Sequence, residues 1–190
     1  MLLQVAVAMA APPALPPLTE EEWQRVRAGE VVLHSEAQGP RVIATGVVQV
    51  HAPVAQTWPA VLDIPARVPE TPTLTSVTEY DRDGTRRWAL RVDMEVMGVD
   101  LRVHNVYTWD PAHNLATYTL DPDRPNDLAV CDGWYLARPT EGGTLLVYQA
   151  VTEAKVYVPG WVRRRLAKDQ MESLLRAIRA RAERGPATRG

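Results

Sequence analysis

A chain of 190 residues with 46 % hydrophobic content is long enough for one domain with a sizeable core, and it holds no run of about 18 apolar residues that could span a bilayer as a helix. A formal net charge of -2 excludes a whole-molecule basic field for nucleic acid, and a single cysteine, Cys131, excludes an intramolecular disulfide or a cysteine-based zinc site. Phe is absent while Trp and Tyr number six each, so every aromatic side chain carries a polar edge.

Residues 1–17 form an apolar, Pro-rich segment. Leu2 to Ala11 are apolar apart from Gln4, and Ala8-Met9-Ala10 resembles a signal-peptidase site, although no positive residue precedes it. The expectation is an exported, periplasmic or extracellular, protein; a disordered cytoplasmic tail is the other reading. Pro12, Pro13, Pro16 and Pro17 then stiffen the chain as a linker. Residues 18–40 read as a short helix and an extended lead-in. Thr19 with Glu22 makes a capping box, which predicts a helix from Glu20 to Ala28 that stops at Gly29, and Val31 to Leu33 can add an edge strand.

The main domain is expected over 41–184, with 185–190 as a tail. Arg41 to His51 is β-rich, and Pro53 to Leu62 reads as a helix, after which Pro65, Pro69 and Pro72 forbid another long one. From Thr73 the hydrophobic period is two. Strands are predicted at Thr73 to Tyr80, Thr85 to Val96, Val99 to Asp110, Asn114 to Leu120, Leu128 to Arg138 and Thr144 to Thr152. The connections are too short for parallel crossovers, so the fold class is α+β with an antiparallel sheet of about seven strands. The last segment, Val158 to Glu183, is a long helix. Ala167, Met171, Leu174, Leu175, Ile178 and Ala182 share one arc of it, which needs a sheet to lie on. From Val158 to Arg184 eight basic residues face three acidic ones. Either this is a solvated face, or it makes peripheral contact with anionic lipid or an acidic partner.

No GxSxG, HExxH, CxxC, GxxxxGK[ST] or GxGxxG motif occurs, which argues against the common hydrolases, kinases and dinucleotide enzymes. His34, His51, His104 and His113 lie in separate segments without ligand-like spacing, so neither metal nor cofactor is expected.

Val50-His51-Ala52-Pro53, Trp58 and Val61-Leu62-Asp63 resemble the first strand and helix of the START-like, helix-grip superfamily (SRPBCC), which includes pollen allergens, polyketide cyclases and coenzyme Q-binding proteins. Asp132-Gly133-Trp134-Tyr135-Leu136, Gly143-Thr144, Tyr148 and Pro159-Gly160-Trp161 resemble its last hairpin and long helix in order and spacing. The resemblance covers about Arg41 to Glu183. It implies a curved sheet wrapped on the long helix, a short helical segment after the first strand, and a hydrophobic ligand cavity between sheet and helix. Arg67 and Val68 depart from it, standing where the superfamily commonly has aromatics.

Strand alternation nominates the residues of such a cavity. Asn105, Tyr107 and Trp109 share the apolar parity of their strand; Asp132 and Trp134 share that of Leu128, Val130 and Leu136; Tyr148 falls with Leu146 and Ala150. Arg164 falls within the apolar arc of the long helix. Inward polar groups either line a wet pocket or form a satisfied hydrogen-bond network, and an Arg at a helix end either anchors an anion or snorkels to solvent. The expected function is binding or transport of a small hydrophobic molecule such as a lipid, quinone, isoprenoid or polyketide. The alternatives are a polyketide cyclase or dehydratase using Asp132 or Tyr148, and a lipid- or protein-docking module.

Overall fold

The computed structural model describes residues 13–156 and 158–185. The export expectation falls on residues that lie outside this range.

Among the described residues eight strands form one antiparallel sheet. In chain order the elements are α1 (Glu20–Arg27), β1 (Val32–Gln38), β2 (Arg41–Val50), α2 (Val54–Leu62), a 3-10 turn (Pro65–Glu70), β3 (Leu74–Asp83), β4 (Arg87–Val96), β5 (Val99–Asp110), β6 (Leu115–Leu120), β7 (Leu128–Thr140), β8 (Gly143–Ala154) and α3 (Gly160–Arg184). The order across the sheet is β1-β2-β8-β7-β6-β5-β4-β3. The expected count of about seven strands is corrected to eight. β1 runs seven residues rather than three and pairs with β2 along its whole length, from Val32 opposite Val47 to Gln38 opposite Arg41. Its outer half, His34 to Gln38, is exposed and polar, so no alternation marked it as strand.

The capping box is present: the Thr19 hydroxyl accepts from the Glu22 amide at 3.2 Å, and the Glu22 carboxylate accepts from the Thr19 amide at 2.8 Å. α3 stops at Gly185, where φ is 74°. Its predicted arc is the packed one, with Met171, Leu175, Ile178 and Ala182 buried and Ala167 and Leu174 half-buried against the same core. Gly46 on β2 lets α3 approach, because a Cβ there would overlap a Leu175 methyl.

The opposite sheet face is also covered. α1 and the segment before it place Val26, Leu15, Leu18 and Trp23 on Val32, Val47, Leu136, Leu145 and Val147, making a second core. Part of the sheet is therefore apolar on both faces.

Candidate functional site

Between the sheet and α3 lies a cavity of about 280 Å³. Its sides are aliphatic: Val92 and Met94 of β4, Val103 of β5, Leu128 of β7, and Met171 and Leu174 of α3. Val96, Leu101, Ala154, Val158 and Arg163 are half-buried and mark the open end. The other end carries the polar groups. Tyr107, Tyr118, Tyr135 and Tyr148 come from four successive strands of the sheet, β5, β6, β7 and β8, because Tyr107 pairs with Tyr118 and Tyr135 with Tyr148 in register.

These rings pack on one another. Tyr135 stacks on Tyr148 with centroids 4.2 Å apart, and the Tyr118 and Tyr148 hydroxyls share a hydrogen bond of 2.7 Å. Gly133 makes room for them, since a Cβ at that position would meet the Tyr118 ring at 2.6 Å and the Gln149 carbonyl oxygen closer still. Burial pushes the Tyr107, Tyr118 and Tyr148 hydroxyls above the ordinary tyrosine range, because a phenolate there would lose its water. The Cys131 thiol, in the same wall, is pushed up to about 12, again chiefly by burial. Asn105 lines the cavity beside it and donates to the Cys131 carbonyl at 3.1 Å.

Of the residues nominated from alternation, Asn105, Tyr107 and Tyr148 line the cavity. The inward expectation for Asp132 and Trp134 is corrected: both face the other side of the sheet. Asp132 accepts from the Thr119 hydroxyl at 2.7 Å, and Trp134 packs on the second core with its indole N–H on Gln149 at 3.1 Å. The cause is a bulge. Leu128 pairs with Ala154 and Val130 with Glu153, so Ala129 is an extra residue, and the cavity face passes from Leu128 to Cys131 and Tyr135. Trp109 shares the inward face but lies beyond the cavity, its ring 6.0 Å from Trp58 of α2. Arg164 is exposed and does not line the cavity; its neighbour Arg163 does, donating to the Gly39 and Pro40 carbonyls.

Three of the lining residues that alternation does not nominate matter most to the site. Tyr118 has a signal in the alternation Ala116, Tyr118, Leu120; for Tyr135 simple parity with Leu128 points to the outer face, and the bulge reverses it. The third is Arg67, whose side chain is brought in by the 3-10 turn and is 1 % exposed. Its guanidinium donates to the Val61 carbonyl and lies 5.8 Å from the Tyr135 ring centroid.

An eight-stranded antiparallel sheet gripping a long C-terminal helix over an apolar cavity is the helix-grip, START-like architecture. Residues 41–183 match the family described as polyketide cyclase / dehydrase and lipid transport, and the chain belongs to that family. Solved structures similar to it include the following three. A STAR-related lipid transfer protein from Xanthomonas axonopodis has a TM-score of 0.69 at 14 % identity, covering 80 % of this chain and 93 % of that one. A START superfamily protein from Mycobacterium smegmatis scores 0.63 at 23 % identity, with 75 % and 97 % covered. The Zhui aromatase/cyclase from a Streptomyces species scores 0.60 at 19 % identity, with 80 % and 95 % covered. At these identities the likeness shows the fold alone. No curated protein matches the chain by sequence.

Proposed function

We propose that this protein binds and carries a small hydrophobic molecule in the cavity between sheet and α3, rather than transforming it. The observation that carries the reading is the chemistry of the lining. Among the described residues that line the cavity there is no carboxylate, histidine or lysine. Acid–base catalysis needs a group that titrates near the working pH, and burial moves Tyr107, Tyr118, Tyr148 and Cys131 away from it. The cavity instead offers aliphatic walls, a few hydroxyls and amides and the guanidiniums of Arg67 and Arg163, as binding sites do. The cyclase-like alternative retains Tyr148 as its candidate and loses Asp132.

Native mass spectrometry of freshly purified protein, with extraction of what co-purifies and re-incubation of the extract with the protein, tests this. The extracted molecule is expected to return chemically unchanged. Asp132→Asn is expected to alter its affinity by less than about 0.5 kcal/mol, as substitutions away from a site do. An extract that loses water or closes a ring with wild type and not with Tyr148→Phe would overturn the reading.

The rim supports exchange of the ligand at an anionic membrane surface. Among the described residues four large apolar side chains are exposed, and all adjoin the open end: Met97 at 74 % in the β4–β5 turn, Val99 at 56 % at the start of β5, Val156 at 73 % before α3, and Trp161 at 66 % in its first turn. Arg164, Arg165 and Lys168 are exposed on the same end of α3. Trp161 framed by these cations suits the interface of an anionic bilayer, whereas the Met97–Val99 tip is flanked by the exposed carboxylates Glu95 and Asp100. Among the described residues no helix is long and apolar enough to cross a membrane, so the contact would be peripheral. The protein is expected to sediment with vesicles of phosphatidylcholine containing phosphatidylserine and much less with phosphatidylcholine alone. Joint replacement of Arg164 and Lys168 with Ala should weaken this by about 2 kcal/mol at low salt. Equal retention on both vesicles, or on neither, would exclude it.

A further inference from the structure

No arginine or lysine other than Arg67 is buried among the described residues, and it has no carboxylate within ion-pair distance. The acid nearest in sequence, Glu70, is turned to Arg181 at 3.7 Å and Arg184 at 3.2 Å. One donor of the Arg67 guanidinium is used by the Val61 carbonyl, while Nε has no partner. Thr71, four residues on and 5 % exposed, lines the same cavity with its hydroxyl also unpartnered. The Tyr135 ring beside the guanidinium offers its π face but no charge.

A buried cation without a counter-charge is among the most unfavourable arrangements a core can hold, and removing a lone charge of this kind is ordinarily neutral or stabilising. A site that keeps one is built to receive an anion. The guanidinium is a planar fork that matches a carboxylate with two parallel N–H bonds, and one positive charge balances one negative charge. A phosphate monoester carries about -1.5 to -2 at neutral pH and would leave charge uncompensated in an apolar wall. The remainder of the cavity, from Val92 and Val103 to the rim at Val96 and Leu101, is mostly aliphatic; its other polar lining residues are Thr73, Thr152, Gln170 and, at the half-buried open end, Arg163, whose guanidinium donates to the Gly39 and Pro40 carbonyls.

We propose that Arg67, with Thr71 beside it, anchors the carboxylate of an amphipathic acid whose hydrocarbon body fills the cavity towards its open end. The ligand class is then a medium-sized hydrophobic monocarboxylate, held head inward, in keeping with a cavity of about 280 Å³. This proposal rests on the reading of the cavity as the ligand site.

Isothermal titration with dodecanoate and 1-dodecanol, two probes with one hydrocarbon body, tests it on wild type and on Arg67→Met. Wild type should prefer the acid, and Arg67→Met should lose about 10- to 100-fold of dodecanoate affinity, the worth of a charge-assisted hydrogen bond, with 1-dodecanol little changed. The ligand-free variant should melt no lower than wild type, since an unpaired charge is removed. Equal affinity of wild type for both probes, or an equal loss of both in the variant, overturns the anchor and leaves hydrophobic carriage standing. A lowered melting temperature with the acid-to-alcohol ratio intact makes Arg67 a structural clamp on Val61, which also overturns it. Binding of neither probe to wild type overturns the anchor, while carriage of a different hydrophobic molecule is decided by the co-purification experiment. If Arg67→Met does not fold, Arg67→Lys takes its place. It keeps the charge and loses the fork, so the ratio should fall about tenfold; an unchanged ratio refutes the proposal.

Discussion

Truncating Leu175 to Ala is expected to remove about 2 to 5 kcal/mol of stability in denaturant melts. Leu175 is fully buried at the centre of the α3 arc, and its methyl occupies the space that Gly46 leaves on β2. Neither side of this contact can close the gap, because the sheet backbone at Gly46 is paired on both edges, to Leu33 of β1 and to Tyr148 of β8. Ile178, also fully buried on the same arc, should behave alike. The effect is also larger than for an ordinary helix contact, since α3 roofs the cavity and loosening it exposes the aliphatic wall as well. A loss below about 0.5 kcal/mol, the range of surface substitutions, would show that α3 is held by its charged contacts instead.

The helices and most strands could be read from the sequence because their signals are local. The Thr19–Glu22 capping box, the 3.6-residue arc of α3 and the turns at Asp83-Gly84 and Gly142-Gly143 each lie within a few residues, and each stands where it was expected. β1 was under-read because an edge strand in water carries no apolar alternation. The site was harder. The β5 residues Asn105 and Tyr107 followed from parity, but on β7 parity failed twice over: the extra residue at Ala129 exchanged the two faces, and α1 made the outer face apolar too, so Trp134 and Leu136 looked like cavity residues while packing on Trp23 and Val26. Arg67 could be noticed as a departure at a position where aromatics are common. Its burial could not, because that depends on how a proline-bounded 3-10 turn places one side chain against strands roughly 70 residues away in sequence.

Alkylation of Cys131 by iodoacetamide at pH 8 is expected to be about 1000-fold slower in the folded protein than in guanidinium. The thiolate is the nucleophile, and raising the thiol from its ordinary 9.0 to about 12 removes about three decades of it. The shift comes chiefly from burial, with the Asp132 charge adding to it and the hydrogen bond with Asn105 opposing it. The sign of the accompanying pH effect follows. A group whose folded pKa is raised contributes stability that is complete below 9.0 and is lost as pH climbs towards about 12, and the raised tyrosines Tyr107, Tyr118 and Tyr148 act in the same direction from 10.0 upward. Denaturant melts should therefore be flat in these groups near neutrality and fall above about pH 9, by up to about 1.4 kcal/mol per pH unit for each group released. Dodecanoate in the cavity, covering the wall that holds the thiol, should slow alkylation further. A folded-state rate within about tenfold of the unfolded one would mean that the Cys131 thiol opens to water, and with it the wall on which Tyr135 and Tyr148 stack.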